Sequence, residues 1–491
     1  MPSWRLVNFN NEGKQIKIIY FQIIPPSFDP QIQSLQLNYN KLSEIGSYAF
    51  GFLENLVHVD LSNNQIHHIS ENTFQAQRIL KTLNLSHNRL SDLNNSTFQG
   101  LNSLEILDLS HNSFNKLSDF ALQKLHQLTE LNLSGNRISV ISDNAFSGLN
   151  FLINLNLSHN ELTEAKTRAL SLLPGLESLS LSGNRISGLQ AGTFSFLRVL
   201  QRLELAGNSL ETDGLSGESL AGLTSLTSLD LSDLNLTSLP RSLLLPTTNL
   251  TTLRLDRTNL AELEAEVFLS LRHLRMLSLS GNRMLARLDP AVFLPTSQLT
   301  RLDLSDNPRL TSLPPRLLTS LTSLTQLDLR NCRLTGLSLP AVPAWSSLEV
   351  GGNPWHCDCG LLSLYTAGLD LTCHTPPGIT LARANMTGCQ EEKAEQGEEE
   401  EGSERVSLTV TLVVVGVVLL TLLGVVGCRY QASLHSCLLS RISHSKSSHQ
   451  DSLQAFTDTE EFIFNSSQHY HHHHHHHHHQ VPTRPVPVTE L

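Results

Sequence analysis

Apolar positions return along this chain as L-x-x-L-x-L-x-x-N, about every 24 residues from Ile32 to Asn353. The pattern is plainest in LKTLNLSHN (80–88), LEILDLSHN (104–112), LTELNLSGN (128–136) and LRMLSLSGN (274–282). Its centre alternates as a strand does: Leu83 and Leu85 point inward, while Thr82 and Asn84 point outward. Leu80 anchors the approach and Asn88 closes the motif. An asparagine amide can both donate to and accept from the backbone of neighbouring coils, so stacked asparagines predict a ladder. That ladder runs through Asn40, Asn64, Asn88, Asn112, Asn136, Asn160, Asn184 and Asn208, and resumes at Asn282 and Asn307. The second half of each period reads x-x-x-F-x-x-L. Phe50, Phe74, Phe98, Phe146, Phe194, Phe268 and Phe293 occupy it, with Leu122, Leu170 and Leu244 in the same slot. These residues are expected in the core, on a wider convex side that bends the stack. No coil can bury its apolar face alone, so the stack folds as a unit. Thirteen coils before the end of the pattern, at ~4.8 Å each, give an arc of roughly 60 Å.

The period is longest at one place. Asn208 is followed 26 residues later by Leu234, across ETDGLSGESLAG (211–222), and Thr258 fills the next position. Cys332 takes it near the end. A tolerated irregularity and a kink between two sub-arcs both fit this longer period.

Period and signature together resemble leucine-rich repeats. The resemblance implies an α/β solenoid over residues 32–352, with a curved parallel sheet lining the concave side. The chain has 491 residues, more than one ordinary domain, and a net charge of −11. That charge is spread out and leaves no nucleic-acid footprint. Of the seven cysteines, none precedes Cys332, four lie within 357–389, and two follow.

The four read NPWHCDCGLL (353–362), then Cys373 and Cys389. Spacing alone permits three pairings, or a four-thiolate zinc site, for which C-x-C is a poor chelate. The run resembles the C-terminal cap of extracellular leucine-rich repeat proteins. That resemblance implies Cys357–Cys373 and Cys359–Cys389, and a cap over 353–390 shielding the open end of the solenoid. Sequons at Asn84, Asn94, Asn95, Asn132, Asn156, Asn235, Asn249 and Asn385 agree with an exported ectodomain. Several of them arise from the repeat itself, because L-N-L-S contains the sequon.

Residues 391–405 form an acidic stretch, read as a solvated stalk. Residues 406–428 carry no charge. As a helix they would be about 35 Å long, enough to cross a ~30 Å hydrocarbon core. Cap cysteines and sequons place the N-terminus outside, which makes a single-pass type I protein of the plasma membrane. The tail, 429–491, is low in complexity, with nine consecutive histidines (471–479), and is expected to be disordered. It is too short for a kinase or Toll-type signalling domain. Cys428 and Cys437 are candidates for palmitoylation. Thr489 and Leu491 fit the carboxyl-terminal motif that PDZ scaffolds bind by strand addition. Residues 1–31 read as irregular, and 24–42 look like the tail end of a cysteine-rich N-terminal cap, so the expectation is a truncated cap.

Outward strand positions define the candidate ligand face. Tyr39 is the one aromatic assigned to it, and Asn84, Asn132 and Asn156 would put glycans on its N-terminal half. In the C-terminal half Arg254, Arg257, Arg275, Arg301 and Arg330 alternate with Asp230, Asp256, Asp303 and Asp328. Pairing between adjacent strands and a charged docking surface are the two readings of that pattern. His87, His111 and His159 share one repeat position with no nucleophile beside them, and neither a phosphate loop nor a metal triad is evident. The chain therefore reads as a non-enzyme without a cofactor, binding an extracellular or cell-surface protein. Repeat, cap, membrane segment and tail together resemble the single-pass leucine-rich repeat cell-surface family. That family includes neuronal transmembrane adhesion proteins and the Capricious- and Tartan-like proteins. The resemblance implies adhesion or co-receptor function, with a degraded Toll-like receptor as a further possibility.

Overall fold

The computed structural model describes residues 6–10, 15–18, 29–339, 345–369, 371–386 and 389. The acidic stretch 391–405, the apolar segment 406–428, Cys428, Cys437, the histidine tract, Thr489 and Leu491 all lie outside the described residues. Among the described residues no helix is long and apolar enough to cross a membrane.

The repeat becomes a solenoid because each coil spends three residues on a strand and pairs them in register with the next coil. Ser34–Gln36 pairs in parallel with His58–Asp60, that strand with Thr82–Asn84, and so on to Ser347–Glu349. At the centre of each strand a leucine or valine points into the core, as Leu83, Leu107, Leu131 and Leu155 do. The strand before Ser34–Gln36 is unexpected. Gln15–Ile18 pairs in parallel with Ser34–Gln36 and antiparallel with Leu6–Asn10. Within the stretch expected to be irregular, Leu6–Asn10 and Gln15–Ile18 are therefore strands. The first coil would otherwise present an unpaired edge, and this hairpin satisfies its backbone groups.

The convex side carries the phenylalanines as expected. Phe50 and Phe74 stack with ring centroids 5.6 Å apart, Phe268 and Phe293 at 6.3 Å. All seven are fully buried, as are Leu122, Leu170 and Leu244. The α part of the α/β expectation needs correction, because most convex segments are turns. Within the described coils the one α-helical turn is Thr167–Leu170. Short parallel pairs such as Lys116–Leu117 with Val140–Ile141 stiffen that flank.

The asparagine ladder is real and carries a redundancy. Asn160 Nδ2 donates to Leu133 O and Leu157 O, both at 3.0 Å, and its Oδ1 accepts from Ile138 N at 2.9 Å. Leu157 O accepts a second bond from Asn184 Nδ2, and Leu133 O from Asn136 Nδ2. Each of these two carbonyls is thus held by two successive asparagines. The residue before each ladder position has positive φ in all fourteen coils, from Tyr39 (55°) through His87, Gly135 and Arg257 to Gly352 (74°). That turn aims its N–H at the next coil, as in His87 N to Ser110 O at 2.9 Å.

At the longest period the sheet does not break. Arg202–Glu204, Ser228–Asp230 and Thr252–Arg254 pair in unbroken register. The extra residues go into a 3-10 turn, Thr212–Gly214, outside the sheet, so strand register gives no support to a kink. Leu234 and Thr258 are buried in the ladder column. At the other end Cys332 replaces asparagine, and its Sγ donates to Leu304 O at 3.1 Å. Burial pushes this thiol up to about 11.

The cap closes the last coil. Trp355 is buried and donates through Nε1 to Val350 O at 3.0 Å. Cys357–Cys373 and Cys359–Cys389 form the two disulfides, closing separations of 16 and 30 residues. With all four thiols consumed, the zinc alternative falls.

Candidate ligand-binding face

Three outward columns run along the concave sheet. In the column that ends each strand, Asp60, Asn84, Asp108, Asn132, Asn156, Asp230, Asp303 and Asp328 turn Oδ1 to the backbone N–H two residues on. This is an Asx turn, so the acidic and amide character of the column is set by the fold. Within it Asn84, Asn132 and Asn156 are half-buried, whereas Asn94, Asn95, Asn235, Asn249 and Asn385 are exposed. Asn235 Nδ2 donates to Glu211 Oε1 at 2.9 Å, and Asn249 Nδ2 to Thr224 O at 2.8 Å. In the column that precedes each strand, hydroxyls of Thr129, Thr227, Thr251, Thr300 and Thr325 donate to the carbonyl of the coil before.

The arginines of the C-terminal half separate into distinct kinds. Arg254 lies 3.8 Å from Asp230 and 3.4 Å from Asp256. Asp256 replaces the serine that most coils carry there. It is buried, and its Oδ1 accepts from Ser280 N at 2.9 Å and from the Ser278 hydroxyl. Arg330 pairs within its own coil to Asp328 at 2.7 Å. Arg257 does not belong on the strand face. It sits in the left-handed turn column at the solenoid's edge, held by Asp233 at 2.6 and 2.7 Å. That hydrogen-bonded carboxylate raises its guanidinium above the usual range. Tyr39 occupies the same column, 70% exposed, and is likewise removed from the strand face.

Arg275 and Arg301 remain. Both are exposed on the concave face, and among the described residues neither has an ion pair. Asp303, the carboxylate two residues beyond Arg301, is committed to Ser305 N and Oγ at 3.0 and 2.6 Å. Arg275 lines a hollow of about 500 Å³ with His273, Gln201, Thr227 and Thr251. A second hollow, of about 390 Å³, lies toward the N-terminus and is lined by Asp108, Glu130, Glu204 and Asn154. Sequence reasoning missed its acidity, although Glu130 and Arg301 occupy the same strand position and comparing them would have shown the change of sign.

The histidine position is a turn feature. His87 and His111 stack with centroids 4.3 Å apart. A side chain at Gly135 would meet His111 Nδ1 at 2.5 Å, and one at Gly183 would meet His159 Nδ1 at 2.6 Å. Glycine in the next coil makes room for these rings.

Parallel coils, an asparagine ladder and a capped end define a solenoid whose exposed concave sheet is a recognition surface. The chain belongs to the leucine-rich repeat family. The family model, described as leucine rich repeat, matches 30–90, 78–138, 127–186, 174–236, 224–284, 248–308 and 273–334. A leucine-rich repeat protein of Leptospira interrogans is similar in structure at 26% identity and a TM-score of 0.52, over 67% of this chain and 86% of that one. The Drosophila Toll–Spätzle complex is similar at 21% identity and a TM-score of 0.55, over 72% and 60%. The functional domain of InlJ from Listeria monocytogenes has 22% identity and a TM-score of 0.48, over 66% and 64%. The chain thus spans less than two thirds of the length of the InlJ and Toll chains. No curated protein matches it in sequence. This solenoid is typically a non-enzymatic scaffold for protein–protein interaction.

Proposed function

We propose that the chain is a single-pass cell-surface protein that recognises another protein through the C-terminal half of its concave face, as an adhesion molecule or a receptor. The observation that carries this reading is the pair Arg275 and Arg301, exposed on the face without an ion pair among the described residues. A guanidinium left unmatched on a rigid sheet offers a forked donor to a partner carboxylate. The disulfide cap and the sequons support an extracellular face, and 406–428 supports the membrane crossing. Exposed Asn94, Asn95, Asn235, Asn249 and Asn385 are the proposed glycan sites, and half-buried Asn84, Asn132 and Asn156 are weaker ones. Thr489 and Leu491 are proposed to engage a PDZ scaffold inside the cell, with Cys428 and Cys437 acylated at the inner leaflet.

The test is cell aggregation with the full chain, tagged at its N-terminus. Expressing cells should aggregate or capture a partner cell, and the tag should stain without permeabilisation. Arg275→Glu with Arg301→Glu should abolish aggregation at unchanged surface level. Unaltered aggregation would reject the face, and a tag that stains only after permeabilisation would reject the topology.

A further inference from the structure

Charge in the last coils before the cap is unevenly built. Residues 251–336 contain eleven arginines, no lysine and eight carboxylates. Arg254, Arg257, Arg287 and Arg330 are in ion pairs, and Arg316 is also engaged. The other six are exposed and have no ion pair among the described residues. Two of them, Arg275 and Arg301, belong to the concave face. Arg283, Arg309 and Arg333 form a separate group. They follow the ladder positions Asn282, Asn307 and Cys332 by one or two residues. They therefore stand on three successive coils along one edge, about 4.8 Å apart at the sheet.

Beside Arg283 that edge is hollowed, by about 520 Å³. The hollow exists because Gly281, at φ 71°, occupies the left-handed column with no side chain. Arg257, Thr258, Asn259 and Ser280 add to its polar lining. One carboxylate borders it, Asp306, whose Oδ1 accepts from Asn331 Nδ2 at 2.9 Å.

The composition narrows the ligand. Guanidinium forks match oxyanions two bonds at a time, so an arginine-only set favours sulfate, phosphate or carboxylate groups. Residues 251–336 hold just two aromatics, Phe268 and Phe293, and both are fully buried. Single-stranded nucleic acids are gripped by stacking on exposed aromatics, and residues 251–336 offer none.

We infer that this edge binds a sulfated polysaccharide, with successive sulfates on Arg283, Arg309 and Arg333 and one sugar unit in the hollow over Gly281. The site is distinct from the concave face and does not depend on what that face binds.

The test uses the full 491-residue chain, purified in detergent, on a sensor carrying a size-defined, fully sulfated heparin oligosaccharide. The triple variant Arg283→Ser, Arg309→Ser, Arg333→Ser should bind at least about tenfold more weakly, a loss on the order of 1.4 kcal/mol. Its melting temperature should not change, because all three side chains are exposed. The matching lysine triple, which keeps charge but loses the fork, should fall between the two. Arg275→Ser with Arg301→Ser should leave affinity within about twofold. The inference is overturned if the serine triple binds normally, or if the concave pair loses as much as the triple. It is equally overturned if polyglutamate or a single-stranded oligonucleotide competes as well as the free sulfated oligosaccharide.

Discussion

The shared carbonyls of the asparagine ladder make its members unequal, and the difference can be measured. Consider Asn160→Ala, in the middle of the ladder. Leu133 O keeps Asn136 and Leu157 O keeps Asn184, so both carbonyls stay satisfied. One buried donor, Ile138 N, loses its acceptor. An orphaned buried group costs about 1–3 kcal/mol and the lost bonds about 1 kcal/mol more, so the expected penalty is about 2–4 kcal/mol. Asn208 is different, because the next ladder residue is Leu234. Asn208 Nδ2 donates to Leu181 O and Leu205 O, and its Oδ1 accepts from Ile186 N. Leu181 O retains Asn184, but Leu205 O has no second asparagine to fall back on. Asn208→Ala should therefore orphan one group more and cost about 1–3 kcal/mol beyond Asn160→Ala. Urea unfolding followed by circular dichroism measures the difference. Hydrogen exchange at Ile138 and Ile186 localises it, since a repeat array need not unfold as one step. Equal penalties, or a larger one at Asn160, would refute the redundancy argument.

Gly135→Val should destabilise by about 2 kcal/mol or more, through a β-branched residue at φ 67° and collision with His111; Gly46→Val, with nothing within 4 Å of its Cβ position, should cost less in the same melt. Cys332 should resist a thiol reagent at pH 8 in the native chain and react on unfolding. Its pKa is raised by burial from 9.0 to about 11 in the folded state. The unfolded thiol therefore ionises first, and the stability it contributes below pH 9 should be lost as pH rises toward 11. A stability profile flat across that window would contradict this. Cys359→Ser should loosen the cap more than Cys357→Ser, because the 30-residue link restrains more chain than the 16-residue one; limited proteolysis after the last coil reports it.

Much of this architecture was legible because the repeat fixes inward and outward positions by counting. Leu83, Asn88, Phe98 and Trp355 fall where periodicity and the cap resemblance put them. The misplaced residues, Arg257 and Tyr39, share one cause. Counting outward positions past the strand treats the next turn as more strand, and the chain has already entered the left-handed region there. A signal was present, since Gly135, Gly183, Gly207 and Gly281 recur at that position, and recurrent glycine marks positive φ. The unpaired state of Arg301 could not be read from sequence, because Asp303 gives its Oδ1 to both N and Oγ of Ser305, whereas Asp328 in the same column pairs with Arg330. The N-terminal hairpin was missed because Leu6–Ile18 has no repeat to count by.

The 3-10 turn at Thr212–Gly214 has a consequence for how such a molecule can change. The neighbouring strands keep register across a coil two residues longer than its predecessors. The inner sheet acts as a ruler with fixed graduations, while the outer path between marks is slack. Sequence can therefore be gained or lost on the outer side of this coil without moving a residue on the concave face. A new outward loop at Thr212–Gly214 could be acquired or discarded while the recognition surface stays as it is.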